Sequence, residues 1–153
     1  MPRQYVSTFS AVAITAAQDI FELTAPAAGV ARLVGVIFNQ SSDSGDAQAE
    51  SLDIKIVRGH TTSGSGGSAF TPIPLNSADT AAGSACEINN TTIASAGTAV
   101  NLLADAPNIQ IGEMIWFPPE MRPTARNSER IVVRISAPAD SITASATLYF
   151  EEE

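Results

Sequence analysis

Runs of large apolar residues in this chain are short, alternate with polar residues and end at clusters of Gly, Pro, Ser, Asn or Asp. In residues 131–135, the side chains of Ile131, Val133 and Ile135 fall on one face of an extended strand, and Arg134 falls on the other. Alternation with a period of two is typical of strands that bury one face. The pattern therefore predicts an all-β domain, and it favours a binding or structural module over an enzyme.

Eight to nine strands are predicted, and no segment has a helical period of useful length. They cover residues 5–14, 18–24, 30–38, 52–58, 86–93, 99–103, 109–117, 130–136 and 142–150. The long connection from residue 59 to 83 favours a strand order that switches between two sheets. The predicted fold class is a single-domain, antiparallel, jelly-roll-like β-sandwich.

Within this domain, residues 1–17 are predicted to be an N-terminal arm or first strand, and residues 18–153 the sandwich. The alternation also predicts which side chains are buried. They are Leu52, Ile54, Ile56, Ile131, Val133, Ile135, Leu148 and Phe150. Gly35 interrupts an apolar strand, which indicates a bulge or a close approach of backbone.

The charge balance excludes several partners. Sixteen acidic and eight basic residues give a net charge of −8, and only Lys55 is a lysine. Nucleic acid requires a basic footprint, which is missing here. The four arginines between Arg122 and Arg134 lie close in sequence to Glu120 and Glu129, and they are expected to form ion pairs on solvated strand faces. No stretch reaches the roughly 20 apolar residues of a membrane span. We therefore expect no nucleic acid and no membrane partner, and a soluble protein made in a cytoplasm.

Reactive side chains are scarce, since the chain has one histidine, His60, and one cysteine, Cys86. His60 precedes Ser63 and could form a nucleophilic pair with it, but no G-x-S-x-G elbow is present. Zinc would need further ligands, because twenty-five residues separate His60 from Cys86. We expect no catalytic residues, no cofactor and no metal.

Three other segments have both a functional and a structural interpretation. Asp43, Asp46 and Glu50 are oxygen ligands of the kind that calcium accepts, but their spacing matches no EF-hand, so an empty acidic turn is expected. Residues 59–68 are rich in Gly and Ser and predict a mobile loop whose shortening leaves stability unchanged. Trp116 is either an exposed platform for sugar or a strand residue at the core edge.

Two stretches carry a resemblance. One is residues 41–50, SSDSGDAQAE, leading into Arg58-Gly59; the other runs from 137–143, APADSIT, to 148–152, LYFEE. They resemble small virion-associated proteins encoded in the genomes of tailed bacteriophages. The resemblance implies a head decoration (cement) protein located in the virion, with the major capsid protein as partner and a homotrimer as its assembly.

The first segment is apolar and has no helix cap, so it suits strand addition to a neighbouring subunit or the capsid. The predicted contact residues are Arg3, Tyr5, Val6, Phe9 and Val12. A tail or fibre component that binds a receptor or carbohydrate is the alternative, and a cupin or hydrolase ranks last. Carbohydrate binding predicts Trp116 exposed beside polar loops, whereas decoration predicts an apolar patch near the N-terminal segment.

Overall fold

The computed structural model describes residues 2–42 and 50–153, and within them the chain forms strands and one short 3₁₀ turn but no α-helix. The twelve strands are β1 (Arg3–Ile14), β2 (Gln18–Thr24), β3 (Val30–Gln40), β4 (Ile54–Arg58), β5 (Ser68–Phe70), β6 (Ile73–Pro74), β7 (Ala85–Asn90), β8 (Val100–Asp105), β9 (Glu113–Trp116), β10 (Thr124–Arg126), β11 (Arg130–Ile135) and β12 (Ile142–Glu152). The 3₁₀ turn covers Pro119–Met121 and begins at the second of the two prolines that follow β9.

The strands form two antiparallel sheets of six strands each. Sheet A has the order β10-β3-β12-β1-β6, and β9 pairs with a further stretch of β3. Sheet B has the order β5-β7-β2-β11-β4-β8. Along the described strands the chain changes sheet eight times, and it stays in one sheet only from β4 to β5, from β7 to β8 and from β9 to β10.

The core lies between the two sheets and confirms the predicted alternation. All eight side chains predicted from the pattern are at most 1% exposed. One aromatic pair links the layers, since the ring centroids of Phe9 in sheet A and Phe21 in sheet B lie 5.4 Å apart. A second pair lies within sheet A, where Tyr5 stacks on Phe150 with the centroids 5.4 Å apart. The inward face of each strand therefore follows directly from the period of two.

The first segment of the chain is a strand of sheet A. β1 pairs with β12 along its length, from Arg3 opposite Glu152 to Ile14 opposite Ile142, with a bulge after Phe9. Ala11, within that bulge, has φ of 55°. Removing the first ten residues would take buried Tyr5 and Phe9 out of the core, because both are at most 7% exposed.

Some predicted boundaries differ from the structure. Residues 109–111 form a turn before β9 instead of a strand, because Asn108 closes it by accepting from the Gln110 and Ile111 amides. The strands beyond the predicted eight to nine include the short edge strands β5, β6 and β10. Edge strands of two or three residues carry too few alternating positions to produce a recognisable pattern.

Candidate interaction surface

A row of side chains crosses the outward face of sheet A at right angles to its strands. In register, Ile73 of β6 lies beside Val6 of β1, and Val6 lies beside Tyr149 of β12. Tyr149 then lies beside Gly35 of β3, and Gly35 beside Trp116 of β9. Because adjacent strands are about 4.8 Å apart, the row is roughly 19 Å long. These five residues are called the apolar row below.

Trp116 is seated over Gly35, where the sheet has no side chain. A Cβ at Gly35 would overlap Cε3 of the indole, and it would also meet the carbonyl oxygen of Ile115 at 2.9 Å. The indole reaches Tyr149, with the ring centroids 5.5 Å apart and the planes inclined by 56°. Trp116 nevertheless remains 56% exposed. The register shifts between Tyr149, opposite Gly35, and Phe150, opposite Leu33, so the bulge predicted at Gly35 is confirmed. The group seated over the glycine is a side chain, the indole of Trp116.

More apolar side chains extend this exposed surface. Met114 lies two residues before Trp116 and pairs with Ile37, and it is 67% exposed. Ile111, just before β9, and Met121, in the 3₁₀ turn, are 82% and 70% exposed. Contiguous exposed apolar surface on a soluble protein marks a site of interaction. The outward face of sheet A is thus the candidate functional site.

Ion pairs border the apolar row at one end of the strands. Arg122 Nη1 lies 2.6 Å from Glu151 Oε2, and Arg32 Nη2 donates to Glu153 Oε2 at 2.9 Å. The hydrogen bond from Arg32, and then its charge, hold the pKa of Glu153 below its ordinary value. At the other end, the hydroxyls of Thr8 and Thr147 lie 3.2 Å apart. The row is therefore apolar between two polar borders.

The three terminal glutamates are held by the fold. Glu152 accepts hydrogen bonds from the amides of Gly83 and Ser84 at 2.9 and 2.8 Å. Glu153 pairs through its backbone with Val30 in both directions, at 2.9 and 3.0 Å. Two of the three like charges are thus paired with arginines, and the third accepts hydrogen bonds from backbone amides. The sequence does not reveal these partners.

The outward face of sheet B differs in chemistry, because it buries charged residues. Asp19, which is 0% exposed, accepts from Arg134 Nε at 2.6 Å and from the Ala94 amide at 2.6 Å. Glu22, 1% exposed, lies 2.7 Å from Arg130 Nε through its Oε1. The prediction of ion pairs is confirmed for these arginines, but the solvated strand face is wrong.

Two loops, 59–68 and 91–99, cover this face of sheet B and pair with each other. Thr62 bridges to Ser95 and Ser65 to Thr92. Ser63 Oγ donates to Glu22 Oε1 at 2.6 Å, and the Gly64 amide donates to Glu22 Oε2 at 2.9 Å. These are called the covering loops below. The Gly/Ser segment predicted to be mobile is therefore bonded to a buried carboxylate.

The predicted contact residues divide between the core and the surface. Tyr5 and Phe9 are buried in the core, and Val12 is partly buried against it, so these three contact the chain's own interior. Arg3 is exposed, and Val6 is half-buried within the apolar row. Only Arg3 and Val6 are thus placed for a contact outside the chain, and that role stays a prediction. The strand period places Tyr5 and Phe9 inward as soon as β1 pairs with β12.

Possible reactive groups lie apart from one another. His60 Nδ1 lies 3.2 Å from the Ala96 carbonyl oxygen, and the Ser63 hydroxyl donates to Glu22. Burial raises the pKa of the Cys86 thiol to about 12, which keeps it protonated and unreactive. Across residues 2–42 and 50–153, His, Cys, Asp and Glu form no group of three that could hold a metal ion. Asp43 and Asp46, of the acidic turn, lie outside the described residues.

Open concavities also occur on the surface. One, of about 450 Å³, is lined by His60, Asn127, Ser128 and Arg130 among others. Asn127 and Ser128 have φ of 50° and 70°, as expected in a tight turn between β10 and β11. The Glu129 amide donates to the Arg126 carbonyl oxygen across this turn, which leads from sheet A to sheet B, so the turn accounts for the positive φ values.

Comparisons with known proteins add little to this description. No protein-family model matches the chain, and no curated protein matches it. The structure of infectious bursal disease virus Gx strain is similar over 99% of this chain and 30% of that chain, with 14% sequence identity and a TM-score of 0.22. The present chain thus spans less than a third of the viral chain that it matches, and a TM-score of 0.22 is too low to show a shared fold. Within the described ranges, no helix has the length and apolar character needed to cross a membrane.

Proposed function

We propose that the protein is a structural component of a virus particle, a decoration (cement) protein that binds the outer surface of a phage head and stabilises it without catalysis. The observation that carries the proposal is the apolar row, in which Trp116 is 56% exposed on a rigid sheet. Adhesion requires such a surface, whereas catalysis requires grouped reactive side chains. The phage head as the partner comes from the resemblance of the sequence to virion proteins.

The position of the row supports decoration over the alternatives. Decoration predicts an apolar patch near the N-terminal segment, and the row includes Val6 of β1 and Ile73 of β6, its neighbour. In this proposal the sandwich is a jelly roll, which the repeated changes of sheet support. The protein acts as a homotrimer on the major capsid protein, and each copy presents one row to the shell.

A tail or fibre module that binds a receptor carbohydrate is the second candidate, and one observation favours it. Trp116 and Tyr149 form an exposed pair of aromatic rings, and such rings pack on the apolar faces of sugars. However, Met114 and Ile37 lie next to this pair, and these side chains offer no hydrogen bonds to sugar hydroxyls. The neighbours of the rings therefore favour a protein partner.

The test is to add purified protein to phage shells that lack it and to locate it by electron cryomicroscopy. We expect added density on the outer surface of the shell and a higher temperature of shell rupture. Trp116→Ala should lower occupancy at least tenfold, whereas Leu102→Ala, at an exposed apolar position of sheet B, should not. Density only on tails would support the second candidate. Absence of density from both shells and tails would contradict both proposed functions.

A further inference from the structure

The two outer strands of sheet B differ in length and exposure. β5 has three residues, whereas β8 has six and pairs with β4 alone among the described strands. From Val100 to Ala104, β8 has no proline and no charged residue, and Val100 and Leu102 are 50% and 37% exposed. Short length, proline and charge are the usual protection of an outer strand, whose unpaired backbone groups otherwise recruit another strand. β8 is therefore an open edge with one protective feature, a bulge.

The backbone groups of β8 face in two directions. The Ser136 amide, just after β11, donates to the Asp53 carbonyl oxygen at 2.9 Å, so by alternation the backbone groups of residues 54, 56 and 58 face β8. Their partners in β8 face β4 in return, and these partners are Asp105, Leu103 and Val100. The amides and carbonyl groups of Asn101 and Ala104 consequently point to the free side of the sheet.

The bulge in β8 selects the kind of strand that fits this edge. The register with β4 shifts between Leu103 and Asn101, and Leu102 is the extra residue. The two outward-facing residues, Asn101 and Ala104, are therefore three positions apart, whereas a regular strand presents such residues two positions apart. A regular strand would match one of them and miss the other. A second β8, running antiparallel to the first, has the same spacing and matches both.

This pairing also brings opposite charges together. When Asn101 of one copy lies opposite Ala104 of the other, Asp105 of the second copy lies opposite Val100, whose neighbour on β4 is Arg58. Two strand spacings then separate the Cα atoms of Arg58 and that Asp105, which is roughly 10 Å. Among the residues that the structure describes, Arg58 forms no ion pair. Because charges within about 10 Å are only partly screened at 0.1 M salt, the two attract, and symmetry repeats the attraction.

We infer that two copies of this chain pair through β8 as antiparallel neighbours and join their two B sheets into one continuous sheet. Asn101 of each copy and Ala104 of the other exchange backbone hydrogen bonds, which supply the affinity of strand addition. The contact has twofold symmetry, so it is separate from the homotrimer of the proposed function and links one trimer to the next. It does not depend on binding to a shell.

The first experiment measures the mass of the assembly by sedimentation from about 10 µM to about 1 mM protein, because small contacts are weak. We expect the mass to double as the concentration rises. Ala104→Pro removes an amide that β4 does not use, so it should raise the dissociation constant at least about tenfold and leave the melting temperature nearly unchanged. Leu102→Ala, the matched control on the same strand, changes only a side chain and should alter the dissociation constant by less than about twofold.

Charge variants test the register. Asp105→Arg should weaken pairing about fivefold, although it makes the net charge of −8 less negative by two and so lowers the overall repulsion. Asp140→Arg makes the same change at an exposed position between β11 and β12 and should not weaken pairing. Arg58→Asp alone should also weaken it. An equal mixture of the Asp105→Arg and Arg58→Asp variants should pair as well as the original chain, because each contact then joins opposite charges.

Amide hydrogen exchange locates the contact. The amides of Asn101 and Ala104 should exchange more slowly as the protein concentration rises, whereas the Leu103 amide, which faces β4, should not change. The inference is overturned by a mass that does not depend on concentration, by equal effects of Asp105→Arg and Asp140→Arg, or by slower exchange on a different strand. Pairing through β8 in a protein that adds to no shell would contradict the proposed function and leave the inference standing.

Discussion

The outward faces of the two sheets are opposites in chemistry and in covering. On sheet A, the apolar row lies exposed, and Trp116 rests on a strand position that has no side chain. On sheet B, Asp19 and Glu22 are buried, each bonded to an arginine, and the covering loops lie over them. In most single sandwiches the outward faces are polar and solvated. Here the polar outward face of sheet B is covered by loops, and the apolar outward face of sheet A is exposed.

The difference indicates what each face is for. Burying a carboxylate requires a full set of donors, and the covering loops provide them from the chain itself. Apolar side chains left in water give no stability to the isolated chain, and a partner that covered them would gain their burial. Sheet B therefore completes the fold, and sheet A is left available for a partner.

The largest expected effect is on sheet B. Asp19→Ala leaves Arg134 without its carboxylate beneath the covering loops and removes the acceptor of the Ala94 amide. Because a partly buried charge then lacks its partner, the free energy of unfolding should fall by about 3–5 kcal/mol, measured by urea denaturation. Asp53→Ala, at an exposed carboxylate, is the control and should change it by less than about 0.5 kcal/mol. Similar losses in the two variants would show that the Asp19 pair has no special role.

The next effect tests the seat of Trp116 on sheet A. Gly35→Ala places a Cβ against the indole and the Ile115 carbonyl oxygen, so it should cost about 1–3 kcal/mol in the free energy of unfolding. The indole should also move into water, with emission at longer wavelength. Adding Trp116→Ala should recover part of the loss, because one of the two clashes disappears. No recovery would mean that the backbone contact alone carries the cost.

A smaller effect is expected in the covering loops. Ser63→Ala removes the hydroxyl that donates to Glu22 at 2.6 Å and should cost about 1.5 kcal/mol, as for a hydrogen bond to a charged group. Ser65 lies in the same loop and is exposed, and it bonds to Thr92 through its backbone. Ser65→Ala should therefore leave the midpoint of urea denaturation nearly unchanged. If Ser63→Ala is equally neutral, the original expectation of a dispensable loop stands.

The smallest effect on stability is expected where the effect on attachment is large. Met114 is 67% exposed, so Met114→Ser should change the free energy of unfolding by less than about 0.5 kcal/mol. Its occupancy on shells should nevertheless fall several-fold. Val100→Ser, at a half-exposed position of β8, should alter neither quantity. Equal occupancy for the two variants would remove the functional contrast between the faces.

Much of the architecture follows from local pattern. The period of two places Ile131, Val133 and Ile135 inward, and each is at most 1% exposed. The bounds of β2 match the predicted ones, because a buried strand ends where Ala25-Pro26 removes a donor. The period of two also explains why Tyr5 and Phe9, which were predicted as contacts with a neighbour, lie in the core as alternate residues of a paired strand.

The candidate site is less accessible to sequence reasoning. Trp116, Tyr149 and Val6 are far apart in the chain, and the register of four strand pairs brings them into one row. Register depends on the whole sheet, so no local pattern encodes which outward residues become neighbours. Gly35 is the one local signal, and it indicates a close approach without naming the indole.

By itself, the sequence determined the class of fold, the inward face of each long strand and the sign of the surface charge, because these depend on alternation and composition. The tertiary structure alone decided which outward face is covered. Arg130 and Arg134 have the same alternation as solvated residues. They are only partly exposed, and their partners Glu22 and Asp19 are buried, because loops 59–68 and 91–99 fold across sheet B and bond to these carboxylates. Burial of an outward side chain depends on chain segments distant in sequence, and hydrophobic periodicity carries no information about those segments.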